Sequence, residues 1–178
     1  YCIFLAYDLL QCVTFRYTIP MVTRPIIAII GRPNVGKSTL FNRLIGRREA
    51  ITSHQAGTTR DRHFGVMQWF GHSWTIVDTA GIIFEDEPER EFTDMQAGMH
   101  EQVALAIDEA DMIFLIVDVQ EGVHPQDRTI MAELRRQAKP VVVLVNKSDN
   151  PNLLTQAQAF HELGAESVFP VSAIHGRG

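Results

Sequence analysis

Cysteine is almost absent from this chain of 178 residues, which has only Cys2 and Cys12, both near its beginning. Residues 13–178 therefore offer neither a disulfide framework nor a cysteine metal site, which is typical of a protein of the reducing cytoplasm. The seven histidines are scattered without the H-x₃-H spacing of a metal site. We interpret them as surface or packing residues.

An excess of positive charge and long hydrophobic runs are also missing. The net charge is −5, whereas a surface that binds nucleic acid is normally basic; we expect no DNA partner and no main RNA-binding surface here. Asp8, Gln11 and Arg16 interrupt the apolar beginning before it reaches a membrane-spanning length, and no basic segment precedes it as in a signal peptide. We expect residues 1–20 to be a non-native or upstream leader, with a membrane-touching extension as the alternative.

Apolar strand patterns alternate with helical patterns over residues 21–178, which predicts one domain with a mostly parallel sheet and helices on both faces. The Gly71-His72 turn joins two strands as a hairpin, so one strand should be antiparallel. The expected class is α/β, a three-layer sandwich with a six-stranded sheet. The predicted strands are 25–30, 64–69, 74–78, 112–118, 140–146 and 167–171, and the predicted helices are 37–44, 94–109, 125–137 and 153–163.

A glycine-rich motif stands between the first predicted strand and the first predicted helix. Residues 31–38 fit G-x-x-x-x-G-K-S/T at every fixed position, which predicts the P-loop NTPase fold. Backbone N–H groups of such a loop converge on phosphate oxygens, and the helix N-terminus adds a positive dipole end. Lys37 would reach the β- and γ-phosphates, and the Ser38 hydroxyl would bind Mg²⁺. The predicted nucleotide contacts here are Gly31, Arg32, Pro33, Asn34, Val35, Gly36, Lys37, Ser38 and Thr39.

The end of another strand supplies the second part of the predicted site. Asp78 stands where a carboxylate can hold Mg²⁺ beside the phosphate loop. The N–H of Gly81 can meet a γ-phosphate because glycine has no side chain to block the approach. The adjoining predicted contacts are Thr79, Ala80 and Ile82.

Residues 146–149 indicate which base is bound. Asp149 can accept both N1–H and the 2-amino group of guanine, whereas adenine would leave this carboxylate unpaired. A backbone N–H of Ser172 or Ala173 could donate to guanine O6. Because ligands of open α/β sheets bind at the carboxyl ends of strands, these segments should form one site. The predicted base contacts are Asn146, Lys147, Ser148, Asp149, Ser172 and Ala173.

Together these motifs resemble those of the translational GTPase-like superclass, and more closely those of the bacterial Der (EngA) family. The resemblance covers residues 21–178 and rests on residues 31–44, 57–62, 78–82 and 169–178. Related Era chains usually have Asp-Thr-Pro-Gly where this chain has Asp-Thr-Ala-Gly. The Thr-Thr-Arg-Asp of this chain is also seen in MnmE-like proteins.

The resemblance implies a GTP-hydrolysing switch that uses GTP/GDP and Mg²⁺ and acts, in the full-length protein, in biogenesis of the large ribosomal subunit. Der proteins carry two GTPase domains followed by a small RNA-binding-type domain. We therefore expect this chain to be the first G domain, truncated before its final helix, with the second G domain and the RNA-binding-type domain missing. The alternatives are an Era- or MnmE-like GTPase in rRNA processing or tRNA modification, and a GTP-dependent binding module with little turnover.

The expected catalytic residues are Asn34, Lys37, Thr59, Asp78 and Gly81. Thr59 would join Mg²⁺ in the GTP state, with Thr58 as the competing choice. Ile82 stands where many GTPases have a water-orienting glutamine, and its side chain cannot hydrogen-bond water. A positive charge that stabilises the transition state in place of that glutamine could come from Arg60, from Arg62 or from a partner's arginine. The resemblance implies a further source, a K⁺ ion held by Asn34.

Overall fold

The computed structural model describes residues 24–46, 63–69, 72–79 and 101–178. Six strands lie within these ranges: β1 (Ile26–Ile30), β2 (His63–Trp69), β3 (His72–Asp78), β4 (Met112–Asp118), β5 (Val141–Asn146) and β6 (Ser167–Pro170). They form one sheet in the order β2-β3-β1-β4-β5-β6. Neighbouring strands are parallel except β2 and β3, which are antiparallel. The predicted α/β class, the six strands and the single antiparallel strand are confirmed.

Four α-helices connect these strands in the described part of the chain: α1 (Lys37–Ile45), α2 (Glu101–Glu109), α3 (Pro125–Arg136) and α4 (Pro151–Gln156). Short 3₁₀ segments span Val119–Glu121 and Ala157–Leu163. The helix predicted over residues 153–163 is thus an α-helix that continues as a 3₁₀ segment. It begins two residues early because the Asn150 side chain accepts a 3.0 Å hydrogen bond from Leu153 N and Pro151 fits the first helical turn.

The sheet is covered on both faces. Alternate residues of β1 and β4, such as Ala28 and Ile113, pack against α2, α3 and the 3₁₀ segment Ala157–Leu163. The intervening residues, such as Ile29 and Ile116, pack on the opposite face, where Leu40 of α1 joins them. All seven residues of β4 are buried, which explains its continuous apolar sequence.

The parallel strands direct their carboxyl ends to one edge of the sheet, and the predicted motifs follow these ends directly. Strand β5 begins at Val141 rather than at the predicted Pro140, since proline has no N–H to donate to a neighbouring strand. The Pro140 carbonyl still accepts a 2.9 Å hydrogen bond from Ile113 N.

Within the ranges that the structure describes, no helix has the length and apolar character needed to cross a bilayer.

Candidate functional site

The loop between β1 and α1 needs glycine at two positions. Gly31 has φ 156°, and a Cβ atom there would lie 2.4 Å from the Ile116 carbonyl oxygen of β4. Gly36 has φ 102°, and a Cβ atom there would lie 2.3 Å from Nδ2 of Asn146. Both approaches are far inside van der Waals contact, so only glycine fits. The loop is therefore pressed against the sheet edge and against the loop that follows β5.

The outer side of this loop is open. Pro33, Asn34, Ser38 and Thr39 are exposed, whereas Val35 is buried. Asn34 has a left-handed backbone, with φ 62°, a conformation that asparagine tolerates better than most residues. The helix α1 begins directly after Gly36, which has no side chain to cap the first N–H groups. An anion can therefore approach the N-terminus of α1, where the helix dipole favours negative charge.

Lys37 lies at the base of the loop with only 5% of its surface exposed. Its Nζ donates a 2.7 Å hydrogen bond to the Arg32 carbonyl oxygen, which holds the ammonium inside the curve of the loop. Burial lowers the pKa of Lys37 from its usual 10.5 to about 8; the Asp78 carboxylate opposes this shift and the Arg32 guanidinium adds to it. A partly dehydrated cation in this place suits an anionic ligand.

The Arg32 side chain points away from the open side of the loop. Its Nε donates to Oδ1 of Asp127 at 2.8 Å, and its Nη1 donates to Oε2 of Glu121 at 2.7 Å. Burial opposes the charge, but the hydrogen bonds and charges of these two carboxylates outweigh it and raise the pKa of Arg32. The Arg32 side chain therefore fastens the loop to α3, and the predicted contact of Arg32 with the nucleotide falls to its backbone.

The partners of Arg32 were missed by sequence reasoning. Asp127 also accepts a 3.2 Å hydrogen bond from His124 N, as part of a capping box at the start of α3. The spacing of His124, Pro125 and Asp127 was the available signal for that cap. Nothing in the sequence pattern links Asp127 to Arg32, 95 positions away.

The end of β3 brings a carboxylate beside the phosphate loop. Asp78 is 3% exposed and pairs in register with Ile29 of β1, the strand that leads into the phosphate loop. Thr79 is buried, and its hydroxyl donates a 2.6 Å hydrogen bond to the Ile29 carbonyl oxygen at the end of β1. The predicted contacts Thr58, Thr59, Ala80, Gly81 and Ile82 lie outside the described residues, as do Arg60, Arg62 and residues 1–20.

Asn146 joins the phosphate loop to the end of the chain. Its Nδ2 donates to the Val35 carbonyl oxygen at 2.8 Å, and its Oδ1 accepts from Ala173 N at 2.9 Å. The adjacent Lys147 has φ 63°, and its Nζ lies 2.5 Å from Oδ2 of the buried Asp118 at the end of β4. Sequence reasoning did not identify Asp118, although it ends a buried strand as Asp78 does.

Asp149 faces the loop after β6. Its Oδ1 accepts a 2.5 Å hydrogen bond from Ser172 Oγ, and its carbonyl oxygen accepts one from Nη1 of Arg177 at 3.3 Å. Ser148 is buried, and its hydroxyl donates to the Val145 carbonyl oxygen, so that side chain supports the loop. The N–H of Ser172 donates to the Arg177 carbonyl oxygen, while that of Ala173 donates to Asn146. A contact of either N–H with guanine O6 stays a prediction.

The structure thus brings the described parts of every predicted motif to one edge of the sheet. An anion-accepting loop with a buried lysine lies beside a strand-end carboxylate, and a second carboxylate lies across Asn146, where a base can be read. Phosphate recognition beside base recognition at the carboxyl ends of parallel strands defines a nucleotide-binding domain of the P-loop class.

A family model described as "50S ribosome-binding GTPase" matches residues 26–147. The match spans most of the chain, so the chain belongs to this GTPase family and is a GTP-binding domain. This confirms the GTPase class expected from the motifs, including the guanine base.

The curated relatives confirm the resemblance to Der. GTPase Der of Herpetosiphon aurantiacus is 50% identical over 156 residues, which are 87% of this chain and 34% of that protein. GTPase Der of Brevibacillus brevis is 47% identical over 154 residues, which are 86% of this chain and 34% of that protein. The chain therefore spans about a third of the length of the curated relatives it matches.

Solved structures agree with the fold. A structure of Era in complex with MgGDPNP and nucleotides of 16S ribosomal RNA has a TM-score of 0.65 at 34% identity and covers 86% of this chain and 52% of that chain. The G domain of the FeoB iron transporter of T. maritima has a TM-score of 0.61 and covers 88% of this chain and 92% of that chain. Its identity is 22%, so this second likeness concerns the fold alone.

Proposed function

We propose that this domain is a guanine-nucleotide switch that hydrolyses GTP to GDP and phosphate with the help of Mg²⁺. The observation that carries the proposal is the pair of hydrogen bonds made by Asn146, which hold the phosphate loop at Val35 and the loop after β6 at Ala173. One side chain thereby sets the distance between the phosphate-binding and base-binding halves. A nucleoside polyphosphate carries a base and a phosphate chain on one ribose, so a single ligand can reach both halves.

The phosphate half would act through charge and position. Lys37 would bind the β- and γ-phosphates, and the exposed Ser38 hydroxyl together with the Asp78 carboxylate would hold Mg²⁺. The donor set fits that ion, because Mg²⁺ prefers oxygen ligands. The proposal keeps Thr59, rather than Thr58, as the ligand added in the GTP state, and Gly81 as the γ-phosphate contact.

The base half would select guanine through Asp149. This carboxylate would accept N1–H and the 2-amino group of guanine, while Ser172 Oγ, 2.5 Å from its Oδ1, fixes its orientation. Adenine has no 2-amino group and no N1–H, so binding it would leave Asp149 desolvated and unpaired. Lys147, held toward Asp118, would lie against the base, and the backbone at Ala173 would meet guanine O6.

Ile82 cannot orient the attacking water through a hydrogen bond. A monovalent cation would instead supply a positive charge that stabilises the transition state. Asn34 is exposed at the tip of the phosphate loop, where its side-chain oxygen would bind K⁺ beside the β- and γ-phosphates. The ion would stabilise negative charge that develops during hydrolysis, as an arginine does in other GTPases.

The proposed role of the whole protein rests on its similarity to these relatives. The full-length protein would be a cytoplasmic, Der-like GTPase of which this chain is the first G domain, and a second G domain and an RNA-binding-type domain would connect it to the large ribosomal subunit or its rRNA. The Era structure contains ribosomal RNA, which supports an RNA partner for a related G domain. The net charge of −5 favours RNA contacts outside this domain.

Single-turnover hydrolysis tests the proposal and separates it from a binding module with little turnover. The chain, in excess over radiolabelled GTP with Mg²⁺, should convert GTP to GDP, and unlabelled GTP but not ATP should compete. Lys37→Ala, prepared in the same way, controls for contaminating GTPases and should be inactive. Tight GTP binding without conversion would favour the binding module, and equal competition by ATP would overturn the guanine assignment.

A further inference from the structure

Arg43 lies in the last turn of α1 and reaches across to the end of the chain. Its Nε donates a 3.0 Å hydrogen bond to the Ala173 carbonyl oxygen, and its Nη2 donates a 2.5 Å hydrogen bond to the Ile174 carbonyl oxygen. These partners are 130 and 131 positions away in sequence. One guanidinium thus holds two successive carbonyl groups of the loop after β6 through two nitrogens of its rigid planar fork.

The loop held by Arg43 is the one that orients the base-reading side chains. Ser172, directly before the first held carbonyl, donates its hydroxyl proton to Oδ1 of Asp149. The N–H of Ala173, on the residue whose carbonyl Arg43 holds, donates to Oδ1 of Asn146. A displacement of this loop would therefore move the hydrogen-bond partners of both Asp149 and Asn146.

Gly176 leaves the space that Arg43 needs. A Cβ atom at this position would lie 3.3 Å from Nη1 and 3.4 Å from Cζ of Arg43, and the residue has φ 63°. A side chain at position 176 would therefore press on the guanidinium while straining the turn. The turn and the arginine are fitted to each other.

We propose that Arg43 is a positioning residue for guanine selectivity, which acts by holding the loop that orients Asp149 and Asn146. The proposal rests on the proposed function, since it concerns the base half of that same site. Arg43 has no contact with the nucleotide in this account. It connects α1, whose first turn binds the phosphates, with the loop that reads the base.

A purely structural role is the competing explanation. Arg43 is a basic residue in the last turn of α1, where a positive charge stabilises a helix through the helix dipole. Loss of that effect would lower the stability of the domain and the fraction of active protein. It would not change the ratio of dissociation constants for two nucleotides that differ only in the base.

The test compares GDP with IDP, whose base lacks the 2-amino group that Asp149 would bind. Arg43→Ala should weaken GDP binding by about tenfold and IDP binding by less than about threefold, so that the GDP/IDP selectivity narrows. Asn42→Ala removes the adjacent exposed side chain of the same helix and should leave both constants unchanged. Calorimetric titration of the Mg²⁺-containing chain gives each Kd independently of the active fraction.

Two further variants keep the test informative if Arg43→Ala folds poorly. Arg43→Lys, which keeps the positive charge but lacks the planar fork of the guanidinium, should narrow the selectivity partly. Gly176→Ala, which presses on the guanidinium, should narrow it in the same direction.

The outcomes separate the two proposals. Equal losses for GDP and IDP in the Arg43 variants, or no loss, would overturn the positioning role while leaving the proposed function intact. A wild-type chain that does not prefer GDP to ADP would instead overturn the proposed function. A narrowed GDP/IDP ratio in the Arg43 variants but not in Asn42→Ala supports the positioning role.

Discussion

The two halves of the site are built in different ways. The loop at the centre of the phosphate half is one continuous segment, residues 31–39, shaped by its own glycines and by the start of α1, and Asp78 joins it from the end of β3. The base half is assembled from segments far apart in sequence: Asn146 bonds to Val35 across 111 positions, and Ser172 bonds to Asp149 across 23 positions. Local backbone geometry dominates the first half, and long-range side-chain hydrogen bonds dominate the second.

This difference has a consequence for mutation. The phosphate half should fail abruptly when its backbone is altered, because no side chain can substitute for converging N–H groups. The base half should lose selectivity in steps, because its hydrogen bonds are separate and each contributes about 0.5–3 kcal/mol. Gly36, at the point where the halves touch, should be the most sensitive position of the described site.

Gly36→Ala should break both halves at once. A Cβ atom 2.3 Å from Asn146 Nδ2, at φ 102°, forces the loop to shift and breaks the bond from Asn146 to Val35. We expect GDP affinity to fall by about hundredfold or more. Gly46→Ala is the matched control, because Gly46 also has positive φ, at 70°, but nothing lies within 4 Å of its added Cβ. Equal losses of GDP affinity in the two variants would show that backbone strain, rather than contact between the halves, causes the loss.

The buried charge of Lys37 should lower the free energy of unfolding of the nucleotide-free protein, and replacing Lys37 should reveal this cost. Its pKa is lowered from 10.5 to about 8, so between these pH values the unfolded chain keeps a proton that the folded chain has lost. Stability should therefore rise with pH in this window, by up to about 3 kcal/mol, relative to Lys37→Met.

Urea unfolding of the wild type and of Lys37→Met at several pH values on either side of the lowered pKa measures this difference. The difference should be constant below pH 8 and change only above it. A difference that does not vary with pH would contradict the burial of a charged lysine in the loop.

Asp149→Asn should damage the base half alone. An amide cannot accept both guanine donors, so GTP binding should weaken by about 2 kcal/mol or more, while xanthine nucleotides, with a 2-oxo group, should gain affinity. Dissociation constants for GDP and XDP measure this change of base preference. Asp108→Asn, at an exposed position of α2, is the control and should alter neither constant. An unchanged GDP/XDP preference in Asp149→Asn would show that Asp149 does not select guanine.

The cation should have the smallest effect, on rate rather than on affinity. We expect K⁺ to raise the GTPase rate by about tenfold over Na⁺ at equal ionic strength. Asn34→Ala should abolish that difference and leave GDP affinity within about threefold. Equal rates of the wild type in K⁺ and Na⁺ would return the role to an arginine, and substitution of Arg60 and of Arg62 would then be the next measurement.

The same contrast explains what could be predicted from the sequence. Strand patterns and the glycine spacing of residues 31–38 are local, and they gave the sheet, the phosphate loop and the placement of Asp78. The side-chain directions of Arg32 and Thr79 depend instead on partners that are distant in sequence, Asp127 and the Ile29 carbonyl group. The Arg32 guanidinium pairs with Asp127 on α3 because that buried carboxylate needs a cation, and a backbone contact of Arg32 with the nucleotide stays a prediction.

The supports of the base half were the other part that the sequence did not reveal. Arg43, Asp118 and Arg177 hold the residues predicted to read guanine, yet the sequence pattern assigned a role to none of them. Their partners are backbone carbonyls or side chains brought near by the sheet, so the contacts exist only once the strands are ordered. Such residues can be found from a structure and not from spacing.

Thermal unfolding of this chain in Mg²⁺ with saturating GDP, compared with ADP, tests the central claim of a guanine-nucleotide site most directly. A ligand that binds only the folded state at a hundredfold excess over its Kd stabilises that state by about 2.7 kcal/mol. We predict that GDP raises the Tm by several degrees and that ADP at the same concentration leaves it unchanged. A Tm indifferent to GDP, or raised equally by ADP, would contradict the account.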